Sequence, residues 1–432
     1  MPALPADADA AAAAGPETAL AFAIEAARTH AHGAPSHSPP AELFTRSLAS
    51  LIAQALAPEA GDAAFQAAVL QAAEPSVQEY ARCSAHAAAD RRAVRAAIDA
   101  IAHPGKTRAL TEGAWRDGLA RLHRLASEGA WSELGAAAQQ LAAAVPAADA
   151  LRAIADGPKL HRLQRLDTLA QSAPVQRFRA LCERRGPAAG SDAAAAQGRA
   201  SASEGERAEA QAVHAFRAIA DLLNAAGVSP RLRAVRSLRP PPGFPGDASK
   251  AKDEWDVALL QDEGELASIV LLAEVKAAPA AATSDFPRLL RGLQRLAQAG
   301  AGSAHAFASD GGPVRIDGAS LAALQPQGRL LPPQVIYCCS APPEARPQAL
   351  GAATRAVLLA EPASMAFAQQ LGAGGSPPAA QLLPVWHALA TAPRLRSALH
   401  QYDSARAVRE AMLHPDDLLE AVTQAVRAHS MR

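Results

Sequence analysis

The chain has 432 residues, half of them apolar, and its 42 Lys and Arg residues balance its 42 Asp and Glu residues. The length predicts two or three domains of about 100–200 residues each, and the zero net charge excludes a uniformly basic surface for a polyanion. Because no run approaches the roughly 20 apolar residues of a membrane span, and the N-terminus lacks the basic and Leu-rich regions of a secretion signal, we expect a cytoplasmic protein with no membrane partner.

The first part of the chain has the pattern of helices. Residues 1–16 are rich in Ala, Asp and Pro, and we expect a disordered tail there. From residue 17 to residue 185 apolar side chains recur at intervals of three and four, which predicts an all-α helical domain. A clear stripe consists of Trp115, Leu119, Leu122 and Leu125. We expect this domain to serve interaction or regulation through a protein partner.

The composition changes after residue 185. Residues 186–203 are rich in Gly, Ala and Ser and lack periodicity, which predicts a linker. We expect an α/β domain over 204–361 and a C-terminal helical extension over 362–432. The predicted elements of the α/β domain are helix 205–223, strands 231–238, 254–260 and 268–276, a helix that Asp285 caps, and strands 333–339 and 355–360.

One lysine stands out, because the chain uses this residue at few positions: Lys106, Lys159, Lys250, Lys252 and Lys276. Lys276 ends an apolar, strand-like run, two residues after Glu274. Side chains two positions apart on a strand face the same way, so Glu274 and Lys276 project together. Their neighbours Ala273 and Val275 then pack on the opposite face. A buried acid and a buried amine side by side indicate a functional site.

A second carboxylate, Asp256, lies in the preceding strand-like run. If the two runs form a hairpin, Asp256 lies close to Glu274 on the same face. Two buried carboxylates repel each other, and a hard divalent cation with oxygen ligands would satisfy them. The predicted chemistry is metal-assisted hydrolysis of a phosphodiester, in which Lys276 orients water and stabilises charge in the transition state.

The order helix, strand, strand, strand, helix, strand, with an acid in the second strand and Glu-x-Lys in the third, resembles the PD-(D/E)xK nuclease superfamily over residues 204–340. The resemblance implies a restriction-endonuclease-like α-β-β-β-α-β core with a mixed sheet. It further implies a nuclease whose substrate is nucleic acid, DNA being favoured over RNA. By this resemblance Asp256 and Glu274 are ligands of Mg²⁺ or Mn²⁺, and Lys276 is the catalytic lysine.

Other positions extend or depart from the family's pattern. A Gly-x-x-x-Glu sequence ends at Glu209, which the resemblance implies is an accessory catalytic acid, with Glu206 as the alternative. Gln294 matches the Gln of a Gln-x-x-x-Tyr motif that would contact nucleic acid, but Gln298 stands at the Tyr position. Trp255 replaces the Pro that usually precedes the metal-binding Asp. No subfamily is fixed by these motifs.

Basic residues cluster just before the proposed site. We expect a nucleic-acid-binding patch that follows the phosphate backbone and consists of Arg231, Arg233, Arg236, Arg239, Lys250 and Lys252. The competing interpretation is a basic, solvated loop.

Two other functions remain open on the sequence alone. In the first, the α/β domain has the nuclease fold without its catalysis and acts as a binding or assembly module, while the helical domain recruits a partner. In the second, the whole chain is a helical scaffold with a small sheet, which predicts that Asp256 and Glu274 lie far apart or on opposite faces.

Overall fold

A computed structural model describes the chain over residues 4–29, 38–145, 148–186, 191–227, 230–341 and 349–430. Contacts between residues divide the chain into two compact units. The α/β unit comprises Met1–Leu51, Gly190–Ser364 and Pro378–Arg432. The helical unit comprises Ile52–Ala189 and Met365–Pro377.

The N-terminal region is helical, as its periodicity predicts. Its helices are α1 (Ala8–Ala13), α2 (Pro16–Thr29), α3 (Pro39–Ala55), α4 (Ala63–Ala73), α5 (Pro75–Ala102), α6 (Pro104–Thr107), α7 (Ala114–Glu128), α8 (Trp131–Ala144), α9 (Asp149–Ala155), α10 (Pro158–Ala170) and α11 (Ala173–Arg184). The predicted stripe on α7 buries Leu119, Leu122 and Leu125 in the core of the helical unit. The C-cap residue after helix α7 is Gly129, whose left-handed φ of 77° suits a residue without a side chain.

A mixed sheet follows, with helices before, between and after its strands. The elements are α12 (Asp192–Ala225), β1 (Leu232–Leu238), β2 (Trp255–Glu263), β3 (Leu266–Lys276), α13 (Pro279–Leu296), β4 (Ala304–Phe307), β5 (Val314–Asp317), α14 (Gly318–Ala322) and β6 (Val335–Cys339). The C-terminal elements are α15 (Ala352–Ala360), α16 (Pro362–Gly372), a 3-10 turn (Ala379–Leu382), α17 (Leu383–Thr391), a second 3-10 turn (Pro393–Leu395), α18 (Arg396–Leu399), α19 (Gln401–Glu410), β7 (Met412–Leu413) and α20 (Pro415–Ser430).

Strand β3 is the centre of the sheet. It pairs antiparallel with β2, which pairs antiparallel with β1. On its other side β3 has two parallel neighbours: β5 lies beside its first half and β6 beside its second half, where Glu274 is opposite Tyr337. Strand β4 is antiparallel to β5, and β7 is parallel to β6.

Helices cover both faces of this sheet. On one face Phe216 of α12 packs with Val257, Ala273 and Val275, and Leu418 of α20 lies against the same cluster. On the other face Phe286, Leu289 and Leu293 of α13 pack with Ala258 of β2 and Leu272 of β3. The alternation along β3 therefore places Glu274 and Lys276 on the α13 face, with Ala273 and Val275 on the α12 face as predicted.

The Ala-rich segments differ from their predictions as a tail and a linker. Within the predicted tail 1–16, Ala8–Ala13 is helical, and Asp7 caps it by accepting from the backbone of Ala10 at 2.8 Å; residues 1–3 lie outside the described chain. Within the predicted linker 186–203, residues from Asp192 onward form the first part of α12; residues 187–190 are not described. Both segments are rich in Ala, which has the highest helix propensity of any residue and favours helix over a disordered tail or linker.

The predicted boundaries of the other parts also change. Residues 355–360 form helix α15 and not a strand, since a short apolar run fits either element. The C-terminal extension is not only helical, because β7 joins the sheet beside β6. The first 51 residues group with the α/β unit: Glu17 pairs with Arg355 at 3.2 Å, and the rings of Phe44 and Trp386 are 5.3 Å apart.

Among the described residues, no helix combines the length and apolar character that crossing a membrane requires.

Candidate active site

The strand pair brings Asp256 to Glu274 at the end of its hydrogen-bond ladder. Strands β2 and β3 pair as far as Val257 and Ala273. At the next position the backbone N–H of Val275 donates to Oδ2 of Asp256 at 2.7 Å. The Asp256 carboxylate thus takes the place of a strand carbonyl, which fixes its orientation and leaves its other oxygen for the site. The scaffold alternative, which places the two acids apart or on opposite faces, is wrong.

Glu274 is the most enclosed charge of this site, with 1% of its surface exposed. Its two oxygens face different lysines: Lys276 Nζ donates to Oε1 at 2.6 Å, and Lys252 Nζ lies 2.5 Å from Oε2. Burial and then the neighbouring charge of Asp256 raise the pKa of Glu274 to about 7, although the two lysines act to lower it. Glu274 is therefore poised to lose or gain a proton near neutral pH.

Lys276 is held as a cation. Burial acts to lower its pKa, but the charge and hydrogen bond of Glu274 outweigh burial, so that the pKa of Lys276 is raised above its ordinary value. A further carboxylate contributes, since Oδ2 of Asp285 lies 3.5 Å from Nζ of Lys276. At neutral pH this amine is an ammonium group, suited to stabilising negative charge and not to accepting a proton.

Asp285 was expected to cap a helix and has a different place. Helix α13 begins at Pro279, so Asp285 lies in its second turn and its side chain reaches the sheet. Beside it, burial and the charges of Asp285 and Glu274 raise the pKa of Tyr337 above its ordinary value. Within the described chain, the buried hydroxyl of Tyr337 has no hydrogen-bond partner. The site therefore contains more polar groups than the sequence suggests.

A cavity of about 250 Å³ opens beside Asp256. Its lining is formed by Glu209, Arg236, Ser237, Arg239, Glu254, Asp256 and Asp310. Burial raises the pKa of Asp256, and the charge of Glu209 acts in the same direction. Of the two acids predicted on α12, Glu209 thus lies at the site, whereas Glu206 is exposed and does not line the cavity. Asp256 therefore lies both beside the buried Lys252, at 3.9 Å, and beside a space that solvent can enter.

Ser237 in this lining has a strained backbone. Its φ of 58° lies in the left-handed region, which residues with a side chain rarely adopt. Its hydroxyl donates to Oε1 of Glu254 at 2.5 Å, and Arg239 Nη2 donates to the same oxygen at 2.7 Å. Strain of this kind persists where the surroundings hold it, and it is frequent at functional sites.

The predicted basic patch is not one free surface. Arg233 pairs with Asp262 and Arg236 pairs with Glu209, each at 2.7 Å. Arg231, Lys250 and Gln294 are exposed. Lys252 was predicted to follow phosphates on the surface, and that prediction is wrong because the residue is buried, with 7% of its surface exposed, against Glu274. The scarcity of Lys, which singled out Lys276, applied equally to Lys252.

The oxygen donors of the site match a divalent cation in chemical type. Asp256 and Glu274 offer the hard oxygen donors that Mg²⁺ and Mn²⁺ prefer, and Mg²⁺ usually keeps several waters besides one or two carboxylates. The part of the chain that the structure describes contains no group of three or more His, Cys, Asp or Glu side chains placed to hold a metal ion. The two carboxylates fit such an ion in chemical type, with water completing the coordination.

No family model, curated protein or solved structure is significantly similar to this chain.

Proposed function

We propose that this protein is a metal-dependent nuclease with a restriction-endonuclease-like core, acting on DNA in preference to RNA. The supporting observation is the convergence of Asp256, Glu274 and Lys276 on one face of the sheet, where Asp256 also lines an open cavity. The order α12, β1, β2, β3, α13, β6 agrees with the element order of PD-(D/E)xK nucleases, with the β4–β5 hairpin and α14 inserted before β6.

Asp256 and Glu274 would hold the cation, which when bound polarises a phosphoryl oxygen and makes water more acidic. Lys276, as an ammonium group between Glu274 and Asp285, would stabilise the negative charge that develops on the phosphate. The bond from the backbone of Val275 keeps Asp256 in its orientation before substrate arrives. The two carboxylates would thus ligate the metal ion, Lys276 would stabilise charge, and the backbone of Val275 positions Asp256.

The cavity gives the substrate a place to approach. Arg236 and Arg239 line it with 44% and 56% of their side chains accessible to solvent, and each is held by a carboxylate, Glu209 or Glu254. An arginine guanidinium can contact a carboxylate and still donate to a phosphate with its remaining N–H groups. These two arginines, together with the exposed Arg231 and Lys250, are the basic residues that would meet a nucleic-acid backbone.

The test is cleavage of supercoiled plasmid, single-stranded DNA and single-stranded RNA by the full chain with Mn²⁺ or Mg²⁺. We expect Asp256→Asn and Lys276→Ala each to reduce the rate by a factor of about 100 or more, the size of effect seen when a preorganised stabilising group is removed. Lys159→Ala, an exposed lysine of the helical unit, is the control and should cleave as wild type does. Cleavage that survives both site variants would come from another site or a contaminant.

One observation favours a second function, that of a binding module without catalysis. The ammonium of Lys252 lies against the Glu274 oxygen that a cation would use. If that contact is permanent, the domain keeps the nuclease fold and binds a partner without catalysis. Titration with Mn²⁺ distinguishes the two functions, since an ion that binds the folded state raises the melting temperature by mass action. A melting temperature independent of Mn²⁺ would favour the binding or assembly module.

A further inference from the structure

Lys252 lies where the proposed site would have its cation. Its Nζ is 2.5 Å from Oε2 of Glu274 and 3.9 Å from Oδ1 of Asp256. Oδ1 is the oxygen of Asp256 that the backbone of Val275 does not use. One ammonium group therefore stands between the free oxygens of the two carboxylates that would ligate a metal ion.

This placement is built into the packing of α13. The backbone N–H of Lys252 donates to the carbonyl of Arg288 at 3.2 Å. Residue 292 is glycine, and a Cβ added there would lie 2.8 Å from Cβ of Lys252 and 2.9 Å from its carbonyl oxygen. Contacts this close leave no room for a side chain on the helix. Gly292 thus allows the chain at Lys252 to touch α13, and the side chain enters the site from there.

The positive charge of Lys252 stabilises the two acids but opposes binding of a metal ion. Without a metal ion, Asp256 and Glu274 are neighbouring acids in a poorly hydrated place, and Lys252 offsets their repulsion. A divalent cation and an ammonium group cannot approach the same carboxylate oxygen together, because they repel each other. Lysine carries its charge on four flexible carbons, so its Nζ can leave Glu274 by rotation without movement of its anchored backbone.

We propose that Lys252 is a built-in competitor of the metal ion: its ammonium occupies the ligand oxygens of Asp256 and Glu274 in the metal-free protein and leaves when a divalent cation binds. The competition concerns the cation of the proposed nuclease and so rests on that function. Lys252 then differs in role from Lys276, which contacts the other oxygen of Glu274 and stays in place. The affinity for metal is set by the difference between gaining the ion and losing the Lys252 contact.

The experiment is calorimetric titration of the full chain with MnCl₂ at pH 7.5 and about 0.15 M NaCl, where charges on the surface are largely screened. It reads metal affinity without any cleavage. We expect Lys252→Met to bind Mn²⁺ about 10- to 100-fold more tightly than wild type, the range that corresponds to one charged hydrogen bond. In EDTA the same variant should melt at a lower temperature than wild type, because Glu274 loses a partner, and Mn²⁺ should raise its melting temperature more than that of wild type.

Two further variants keep the test decisive. Lys252→Gln is neutral but can still donate to Glu274, so it should fold even if Lys252→Met fails to fold. It should also bind Mn²⁺ more tightly than wild type. Lys250→Met removes an exposed positive charge two residues away and should leave the affinity within about a factor of two of wild type, as expected for a screened surface charge.

The outcomes separate the two proposals. If wild type binds Mn²⁺ and the Lys252 variants bind it equally or more weakly, Lys252 is not a competitor, while the nuclease proposal stands. If Lys252→Met, Lys252→Gln and Lys250→Met all bind Mn²⁺ more tightly than wild type, the gain comes from the loss of any nearby positive charge. The competition is then again rejected. If neither wild type nor the Lys252 variants bind Mn²⁺ or Mg²⁺, the metal-dependent function itself is overturned, and the competition with it.

Discussion

Each unit of this protein buries a carboxylate against basic side chains, and the two sites behave differently. In the helical unit both oxygens of Asp90 accept from one guanidinium, that of Arg162, at 2.7 and 2.8 Å, and these hydrogen bonds lower the pKa of Asp90. In the α/β unit both oxygens of Glu274 also face cations, yet its pKa is raised to about 7. Proximity to positive charge therefore does not decide the protonation of a buried acid.

The difference comes from what else surrounds each acid. Asp90 is held by a guanidinium whose planar fork matches a carboxylate, and more than a third of the Arg162 side chain remains in solvent. Glu274 is almost fully buried and lies beside a second carboxylate, Asp256, which disfavours its charged form. Pairs of the first kind are ordinary structural ion pairs, whereas acids pushed towards neutral pKa by burial and a like charge are typical of functional sites.

The largest expected effect comes from removing the acid at the centre of the cluster. Glu274→Leu leaves Lys252 and Lys276 facing each other in a buried place, so we expect the free energy of unfolding to fall by about 3–5 kcal/mol. Urea denaturation of the full chain measures it. Glu265→Leu is the control, because this acid on the β2–β3 turn pairs with Arg315 and is largely exposed. A midpoint for Glu274→Leu close to that of Glu265→Leu would mean that the two lysines are hydrated and not buried.

Glu274 and Asp90 should also give opposite dependences of stability on pH. Glu274 has a pKa of about 7 in the folded protein against 4.5 ordinarily, so between these values the folded state keeps a proton that the unfolded chain has lost. Its contribution is complete below about pH 4.5 and is lost as the pH rises to about 7, with a total on the order of 3 kcal/mol. The raised pKa of Asp256 adds in the same direction. Asp90, with its lowered pKa, contributes at neutral pH and loses that contribution as the solution becomes acidic.

This pH dependence is measured by urea denaturation in EDTA from pH 4.5 to 7.5, for wild type and Glu274→Gln. The amide cannot ionise, so the variant should lose most of the fall in stability over this range. Mn²⁺ should oppose the fall in wild type, because metal ions bind the deprotonated carboxylate and release its proton. Equal slopes for wild type and Glu274→Gln would show that the titration belongs to other groups.

The part of the site that depends on local sequence pattern could be predicted. Alternation along β3 predicted that Glu274 and Lys276 share a face, and the hairpin predicted that Asp256 lies opposite, because strand pairing repeats every two residues. Lys252 and Asp285 could not be placed in this way. Their positions depend on how the segment before β2 packs on α13, through Gly292 and the carbonyl of Arg288, about 40 residues further along the chain. No periodicity reports a contact of that kind.

The smallest expected effect is at the acid that the sequence did not single out. Asp90→Leu removes the partner of Arg162, but this arginine is partly exposed and water can replace the lost contacts. We therefore expect a fall in melting temperature of only a few degrees, clearly less than for Glu274→Leu, and no change in the response to Mn²⁺. Differential scanning calorimetry with and without Mn²⁺ gives both quantities. If Asp90→Leu were as damaging as Glu274→Leu, burial alone would govern both sites, and the raised pKa of Glu274 would no longer mark the α/β unit as the functional one.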